Sequence, residues 1–289
     1  MELNAESLKK FLVDAWFEVP VRQIYSVPKQ SKDHRILGDI FEAESLKDCF
    51  SKYSWGGKDY LQNLKDLESC REALLHSLDS ANSESAKSAA YAIYEWGNVK
   101  YQANASGAWF EKNHDCGQLL GKLSDSFQIL TSGDNLHRFD GVDLIMNSGF
   151  TKVASLLSSE SNALIIMDGR VGAALGDLVV IAAETGGFTR VGESLLFPWG
   201  AARPTKHNQN NVRSRDPSTK GIKFPRLFGA NKDYKHADAM FRSSMLIREV
   251  VQALQLKGAN VSSREYEAAL FMWGYDVQSR RPGKSRYSS

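Results

Sequence analysis

Two residues in the middle of the chain have side chains and placements that could perform chemistry together. Lys152 lies near the start of an apolar helical segment, residues 151–157, and Asp168 comes immediately before a second such segment, residues 169–183. The positive end of a helix dipole disfavours an ammonium group in the first turn and therefore favours the neutral amine, which is the nucleophilic form. An amine and a carboxylate at two neighbouring helix starts thus indicate nucleophilic catalysis.

Each residue also has a structural interpretation. An aspartate at the start of a helix accepts hydrogen bonds from the free backbone N–H groups there, so Asp168 is also well suited to cap the second helix. The long side chain of Lys152 can bend away from the helix end into water, as an ordinary surface lysine does. Taken one at a time, the two residues leave both interpretations open.

The helices that position this pair are predicted from the spacing of apolar residues. Further helices are predicted over residues 5–17, 59–78, 85–97, 106–111, 116–123, 241–256 and 263–275. Sustained alternation of polar and apolar residues is largely missing, and short strands are left as an alternative near residues 36–41 or 187–191. The sequence therefore predicts an all-α protein in which a helix–turn–helix corner presents Lys152 and Asp168.

The composition is that of a globular protein with a sizeable core. Of the 289 residues, 42% are hydrophobic and 24% are charged, which is ordinary for a soluble domain. The three cysteines are widely spaced and odd in number, a pattern typical of reduced thiols, so a cytoplasmic location is expected. Because the histidines are scattered and no CxxC or HExxH pattern is present, the sequence predicts neither a metal site nor a cofactor.

Positive charge is concentrated in one loop, residues 198–226. It contains four of the seven prolines, and between Arg203 and Arg226 seven Lys/Arg residues are accompanied by one acid, Asp216. Four more basic residues follow Ser279, although the whole chain carries a net charge of only +2. Such a concentration is expected for a partner that bears phosphates, and a solvated, flexible basic loop is the alternative.

The order of residues around the lysine–aspartate pair resembles the helix-hairpin-helix DNA glycosylases, in particular the 8-oxoguanine DNA glycosylase branch. The segments FTKVASLL and IIMDGRVGAAL stand where that family has its lysine and its aspartate, in the same order. The stretch also looks similar to a lineage of such proteins associated with bacterial antiviral defence. The resemblance covers residues 147–175.

The resemblance implies a bilobed helical bundle with little or no β structure, formed by residues 1–289 as a single glycosylase-like unit. A helical lobe from about residues 1–140 would combine with the C-terminal helices, the catalytic helix-hairpin-helix segment would span residues 141–183, and the basic loop would span residues 198–226. The implied function is that of a DNA N-glycosylase and β-lyase, acting on a modified or damaged base, with proteins of a defence operon as further partners.

The resemblance also implies roles for individual residues. Lys152 would attack C1′ of the damaged nucleoside and form a Schiff base. Asp168 would stabilise the positive charge that develops on the sugar, and would help to position or deprotonate the amine.

Base excision further needs a grip on DNA phosphates and a pocket for the flipped base. The candidates for DNA binding are Gly149, Thr151, Arg170, Arg203, Lys206, Arg213, Arg215 and Lys220. Arg170 is equally suited to pair with Asp168. The candidates for the base pocket are Phe197, Trp199 and Phe224, for which burial in the core is the alternative.

The hairpin that precedes Lys152 departs from the family pattern. Its sequence, IMNSGF, lacks the expected proline and retains only Gly149, out of step, and the interval between the lysine and the aspartate is shorter than usual. Two alternatives therefore stay open. One is a catalytically inactive binding module for nucleic acid, nucleotide or a partner protein, and the other is an enzyme that acts on RNA or a free nucleotide.

Overall fold

The structure, a computed structural model, describes residues 1–101, 105–202, 214–227 and 233–279, together with the backbone of 281–282. Helices make up 57% and strands 7%, which confirms the predicted helical class. The chain divides into two compact units. Unit 1 comprises Met1–Tyr60, Gly169–Leu227 and Met245–Ser289, and unit 2 comprises Leu61–Asp168 and Phe228–Ser244.

The secondary-structure elements are numbered in chain order. The α-helices of the described ranges are α1 (Ala5–Ala15), α2 (His34–Leu37), α3 (Leu46–Ser51), α4 (Tyr60–Asp79), α5 (Ser83–Trp96), α6 (Ala105–Asp115), α7 (Leu119–Ser132), α8 (Phe150–Leu156), α9 (Gly169–Thr185), α10 (Asp233–Leu256) and α11 (Ser263–Trp273). The strands are β1 (Glu2–Leu3), β2 (Val21–Ser26), β3 (Ile40–Ala43), β4 (Arg190–Val191) and β5 (Arg281–Pro282).

Unit 1 is built around α9, which is buried from Val171 to Ala183. A helix that is apolar on all sides has to be covered on all sides, and α1 and α11 pack against it. Within this core the carboxylate of Asp177 accepts a hydrogen bond of 2.9 Å from Trp273 Nε1. That bond compensates part of the cost of removing the carboxylate from water.

Glycines allow the closest contacts of α9. A Cβ added at Gly274, just after α11, would lie 1.9 Å from the carbonyl oxygen of Arg170. At the start of α9, a Cβ on Gly169 would lie 2.8 Å from the Cα of Gly200. The missing side chains at Gly274 and Gly169 thus let α9 lie close to the end of α11 and to the chain at Gly200.

Two small sheets complete unit 1. Strand β2 lies between β3 and β5, antiparallel to both, and β1 pairs in parallel with β4. Strands β3 and β4 overlap the two regions left open as strands by the sequence, whereas β2 was not predicted. Its inward-facing Gln23 is fully buried and donates to the carbonyl oxygens of Trp273 and Asp276, so a polar residue interrupts the apolar alternation that marks a strand.

Unit 2 is a helical cluster. Helix α5 packs against α6, α7 and α8, and α7 also packs against α6 and α8. Aromatic rings fill the space between them: Phe110 lies 5.9 Å from Tyr94 and 6.2 Å from Phe150, centroid to centroid. This packing fixes the position of α8, which carries Lys152.

The next findings concern membrane-spanning helices, metal-binding groups and cysteines in the described ranges. No helix in these ranges is long and apolar enough to cross a membrane. Likewise, no group of three or more His, Cys, Asp or Glu residues in these ranges is arranged to hold a metal ion. All three cysteines have free thiols, of which Cys49 is buried and Cys116 exposed.

Candidate functional site

The start of α8 is fixed by the side chain of an asparagine. Asn147 Oδ1 accepts hydrogen bonds from the backbone N–H groups of Gly149 and Phe150, at 2.9 and 3.1 Å. Its Nδ2 donates to Ser106 Oγ at 2.8 Å. The asparagine thus caps the helix and ties its first turn to α6.

Lys152 is the third residue of α8, in its first turn, as predicted. Its side chain is not solvated: the residue is 7% exposed. Its Nζ donates to the backbone carbonyl of Ser148 at 2.9 Å. The surface-lysine interpretation is therefore wrong, and a buried amine held at a helix start is what the structure shows.

A glycine provides the space for the lysine side chain. A Cβ added at Gly97, which ends α5, would lie 2.5 Å from both Cδ and Cε of Lys152. Gly97 has φ −75° and ψ 3°, which other residues also adopt. The constraint at this position is consequently steric, and it concerns the lysine.

The N-terminal part of α10 holds the chain just before both α8 and α9. At its first turn, Asp233 Oδ2 accepts from the N–H of Met146 at 2.6 Å. One turn later, His236 Nε2 lies 2.7 Å from the carbonyl oxygen of Met167. Farther along, Ser244 Oγ accepts from the N–H of Ile165 at 3.1 Å. This part of α10 therefore positions the segments that lead to Lys152 and Asp168.

His236 is the third ionisable group of the site. It is 5% exposed. Burial lowers the pKa of His236 from 6.5 to about 4, and the charge of Lys152 adds to this effect. The Met167 carbonyl and Asp168 act in the opposite direction. The imidazole is therefore neutral near neutral pH. Because a carbonyl oxygen can only accept, the proton is on Nε2.

Asp168 lies directly before α9 and is half-buried. Its charge and that of Lys152 act on the same imidazole in opposite directions. Lys152 and Asp168, separated in sequence by a helix and a turn, thus both act electrostatically on His236. The helix-capping role of Asp168 stays a prediction.

The residues predicted to bind DNA fall into three groups. Arg203, Lys206 and Arg213 lie outside the described residues. Gly149 and Thr151 are buried, and the N–H of Gly149 and the hydroxyl of Thr151 donate inside the protein, to Asn147 and Ser148. Their role as phosphate contacts stays a prediction.

The remaining three of these residues belong to unit 1. Lys220 is exposed, and Arg215 Nε donates to the carbonyl oxygen of Tyr275 at 3.3 Å. Arg170 is half-buried, with its guanidinium over the rings of Trp55, Phe271 and Tyr275. The role of these three residues in DNA binding stays a prediction.

The three aromatics predicted to form a base pocket are part of the core of unit 1. Phe197 and Trp199 are 1% exposed and Phe224 is 6% exposed. Trp199 exchanges backbone hydrogen bonds with Pro225 and Leu227, which anchors both described ends of the basic loop. This burial favours the core interpretation of these rings.

Sequence reasoning missed three residues of this site: Gly97, Asn147 and His236. Asn147 could have been found, since an asparagine before an apolar segment is a strong capping signal. Gly97 is the last residue of a predicted helix, residues 85–97, but its contact with Lys152 depends on how α5 and α8 pack. His236 lies in the polar first turns of α10, which the apolar pattern did not include.

Comparisons of the chain with protein-family models, with curated proteins and with solved structures found no match.

Proposed function

We propose that the protein is a DNA N-glycosylase with associated lyase activity, which excises a modified or damaged base through a Schiff base on Lys152. The observation that carries the proposal is the buried amine of Lys152 in the first turn of α8, which acts electrostatically on the same neutral histidine as Asp168. A buried, positioned lysine with a carboxylate in its neighbourhood is the arrangement that amine nucleophiles use. The lysine–aspartate sequence pattern supports the same assignment.

The reaction begins at C1′ of a nucleotide that has left the base stack. The ammonium of Lys152 first loses a proton to solvent. The lone pair that this leaves on Nζ forms a bond to C1′ while the N-glycosidic bond breaks, and the base departs with the bonding electrons and takes up a proton. The amine loses its protons, the C1′–O4′ bond opens with protonation of O4′, and a C1′=Nζ imine remains. Loss of a proton from C2′ then expels the 3′ phosphate, which completes the lyase step.

Asp168 supplies negative charge where the sugar becomes positive. As the glycosidic bond breaks, positive charge develops on C1′ and O4′, and a fixed carboxylate nearby stabilises it more than water does because it needs no reorganisation. A neutral His236 adds no positive charge that would compete for this carboxylate. His236 is a positioning residue here, since it acts through its hydrogen bond to Met167, next to Asp168.

The enclosure of Lys152 bears on the form of the substrate. Because the residue is only 7% exposed, the proposal requires the sugar to leave a stacked duplex before it meets the amine. Enzymes that act on bases in DNA solve this problem by extruding the nucleotide. The proposal therefore assigns a flipped or single-stranded nucleotide as the reacting form.

Borohydride trapping tests the proposal, because reduction of the imine leaves a permanent bond between the protein and DNA. Labelled oligonucleotides carrying a panel of damaged and phage-modified bases would be incubated with the protein and borohydride. We expect a cross-link for the wild type and none for Lys152→Gln. Lys87→Gln is the matched control, since Lys87 is a shielded lysine of unit 2 that pairs with Glu84 and Glu111, and it should trap normally.

The outcomes separate the competing functions. No cross-link over the whole panel would overturn the glycosylase/lyase proposal, and binding without cross-linking would identify a binding module. Asp168→Asn removes the charge and retains capping ability. If this variant cleaves at the wild-type rate, the charge of Asp168 has no part in the reaction.

A further inference from the structure

A second group of side chains in unit 1 combines aromatic rings with positive charge. The guanidinium carbon of Arg170 lies 4.2 Å from the centroid of Phe271, 4.7 Å from that of Tyr275 and 5.5 Å from that of Trp55. All four side chains are half-buried, so each keeps an exposed part. We call this group the Arg170 aromatic cluster.

The cluster is assembled from rigid parts. The backbone of Arg170 is held against Gly274, where a Cβ would lie 1.9 Å from the Arg170 carbonyl oxygen. Phe271 belongs to α11, and Tyr275 lies in the turn that follows Gly274, the residue that ends this helix. Trp55 comes from a more distant loop, and that loop is itself tightly constrained.

Trp55 is presented by a turn with two glycines. Trp55 and Lys58 pair across it, and Gly56 and Gly57 have φ of 64° and 78°, values that favour glycine. Asp33 Oδ1 accepts from the N–H of Gly57 at 2.9 Å. The tryptophan is therefore preorganised, which lowers the entropic cost of binding a ligand against it.

Positive charge surrounds the same turn. Arg35 Nη2 donates to the carbonyl oxygen of Gly57 at 2.9 Å, and the backbone of Lys32 packs against Gly57. Lys32, Arg35 and Lys58 are all exposed, whereas the neighbouring acids are Asp33 and Asp59. With Arg170, the cations around the turn outnumber the carboxylates.

We propose that the Arg170 aromatic cluster binds an unstacked base of single-stranded nucleic acid. The base would stack on the exposed parts of the rings and of the Arg170 guanidinium, and the exposed lysines and arginine of the turn would contact the flanking phosphates. Rings and guanidinium planes beside a cationic surface are the combination that proteins use for single strands. The proposal does not depend on the chemistry of Lys152.

The position of Arg170 also argues against a different ligand. Cages of aromatic rings bind methylated ammonium groups through cation–π attraction. In this cluster the cationic position is already taken by the guanidinium of Arg170, which would repel a second cation. A neutral, flat ligand with an attached anion is the class that the cluster accepts.

Fluorescence anisotropy on the full chain tests the proposal with three probes of equal length: a labelled oligothymidylate, an oligomer with tetrahydrofuran in place of the nucleosides, and a duplex. The tetrahydrofuran oligomer keeps the phosphates and lacks the bases. Stacking on even one base predicts that it binds about tenfold more weakly than the oligothymidylate. Equal affinity for the two would overturn the proposal. A single-stranded RNA of matching sequence shows whether the sugar matters.

Variants assign the binding to the cluster. We expect Trp55→Leu to weaken oligothymidylate binding about tenfold and Trp55→Phe to retain most of it, because phenylalanine can still stack. Lys58→Gln should lower the salt dependence of binding, with Lys65→Gln, on the surface of α4, as its control. Wild-type affinity in a folded Trp55→Leu variant, or an unchanged salt slope in Lys58→Gln, would show that the cluster only clamps α9 to α11.

The test also remains separate from that of the proposed function. Lys152→Gln should bind oligothymidylate as the wild type does while it loses borohydride trapping. Conversely, Trp55→Leu retains the Lys152 amine, so a loss of binding to oligothymidylate with trapping intact at saturating DNA supports the cluster alone. If Trp55→Leu does not fold, the comparison of base-bearing and tetrahydrofuran probes on the wild type decides.

Discussion

Acidification should destabilise the folded protein through His236. Burial, with a further contribution from the charge of Lys152, lowers the pKa of His236 from 6.5 to about 4 in the folded chain. In the unfolded chain the imidazole returns to its ordinary pKa. Below that value the unfolded state binds a proton that the folded state does not bind, so stability is complete above the unfolded pKa and falls as the pH decreases towards the folded one.

The size of this effect follows from the difference between the two pKa values of His236. One pKa unit corresponds to about 1.4 kcal/mol, so the maximal loss is about 3 kcal/mol, reached near the folded pKa. Between about pH 7 and about pH 5, the predicted loss in the free energy of unfolding is about 2 kcal/mol. This is a sizeable share of the total stability of an ordinary domain.

Urea denaturation at the two pH values measures the effect, with His236→Gln as the comparison. Glutamine does not titrate, and its amide N–H can still donate to the carbonyl oxygen of Met167. Other histidines titrate equally in both proteins and cancel in the difference. We expect the wild type to lose about 2 kcal/mol more than the variant between about pH 7 and about pH 5.

A constant offset between the two proteins would refute this reasoning. Such an offset would mean that His236→Gln changes packing alone and that the imidazole does not titrate with an altered pKa. The hydrogen bond to Met167 would then not require a neutral histidine, and the assignment of the proton to Nε2 would lose its basis.

Two further predictions concern glycines. Gly97→Ala places a Cβ 2.5 Å from Lys152 Cδ and Cε. Because a flexible side chain can yield, we expect thermal denaturation to show a loss of stability of about 1–2 kcal/mol, while borohydride trapping falls at least tenfold. Normal trapping would show that the position of the lysine is not critical. In Gly274→Ala the added Cβ would lie 1.9 Å from the carbonyl oxygen of Arg170, a backbone atom that cannot yield. We therefore expect the free energy of unfolding to fall by about 3 kcal/mol or more. A near-neutral effect in urea denaturation would contradict the packing of α11 on α9. Gly121→Ala is the control for both, because no atom lies within 4 Å of the added Cβ.

Local signals were sufficient for the elements that carry the pair. Helices α8 and α9 were predicted to begin at residues 151 and 169 and begin at Phe150 and Gly169. Helix α11 was predicted to begin at residue 263 and begins at Ser263, after a capping box formed by Ser262 and Glu265. Caps and apolar spacing act within a few residues, which is why a single sequence reveals them.

The surroundings of the pair depend on contacts that are distant in sequence. The prediction for α10 began at residue 241, whereas the helix begins at Asp233. Its first turns, DYKHADAM, bury His236, two alanines and a single large apolar residue, Met240, so the periodic signal is weak. The partner of His236, the carbonyl oxygen of Met167, has no sequence signature.

Aromatic residues show the same limitation. The sequence offered Phe197, Trp199 and Phe224 as a base pocket, and all three are buried in the core. The half-buried rings of the Arg170 aromatic cluster come from separate segments that carry no common motif. Which rings face the solvent is decided by how elements pack, and that information is not local.

The central claim is that Lys152 is the nucleophile, and mass spectrometry of the trapped complex tests it most directly. After borohydride reduction with a reactive oligonucleotide, nuclease treatment and proteolysis, the adduct is localised by fragmentation of the modified peptide. If Lys152 is the nucleophile, the sugar remnant will be found on its Nζ. An adduct on any other lysine or on the N-terminal amine, with Lys152 unmodified, would contradict it.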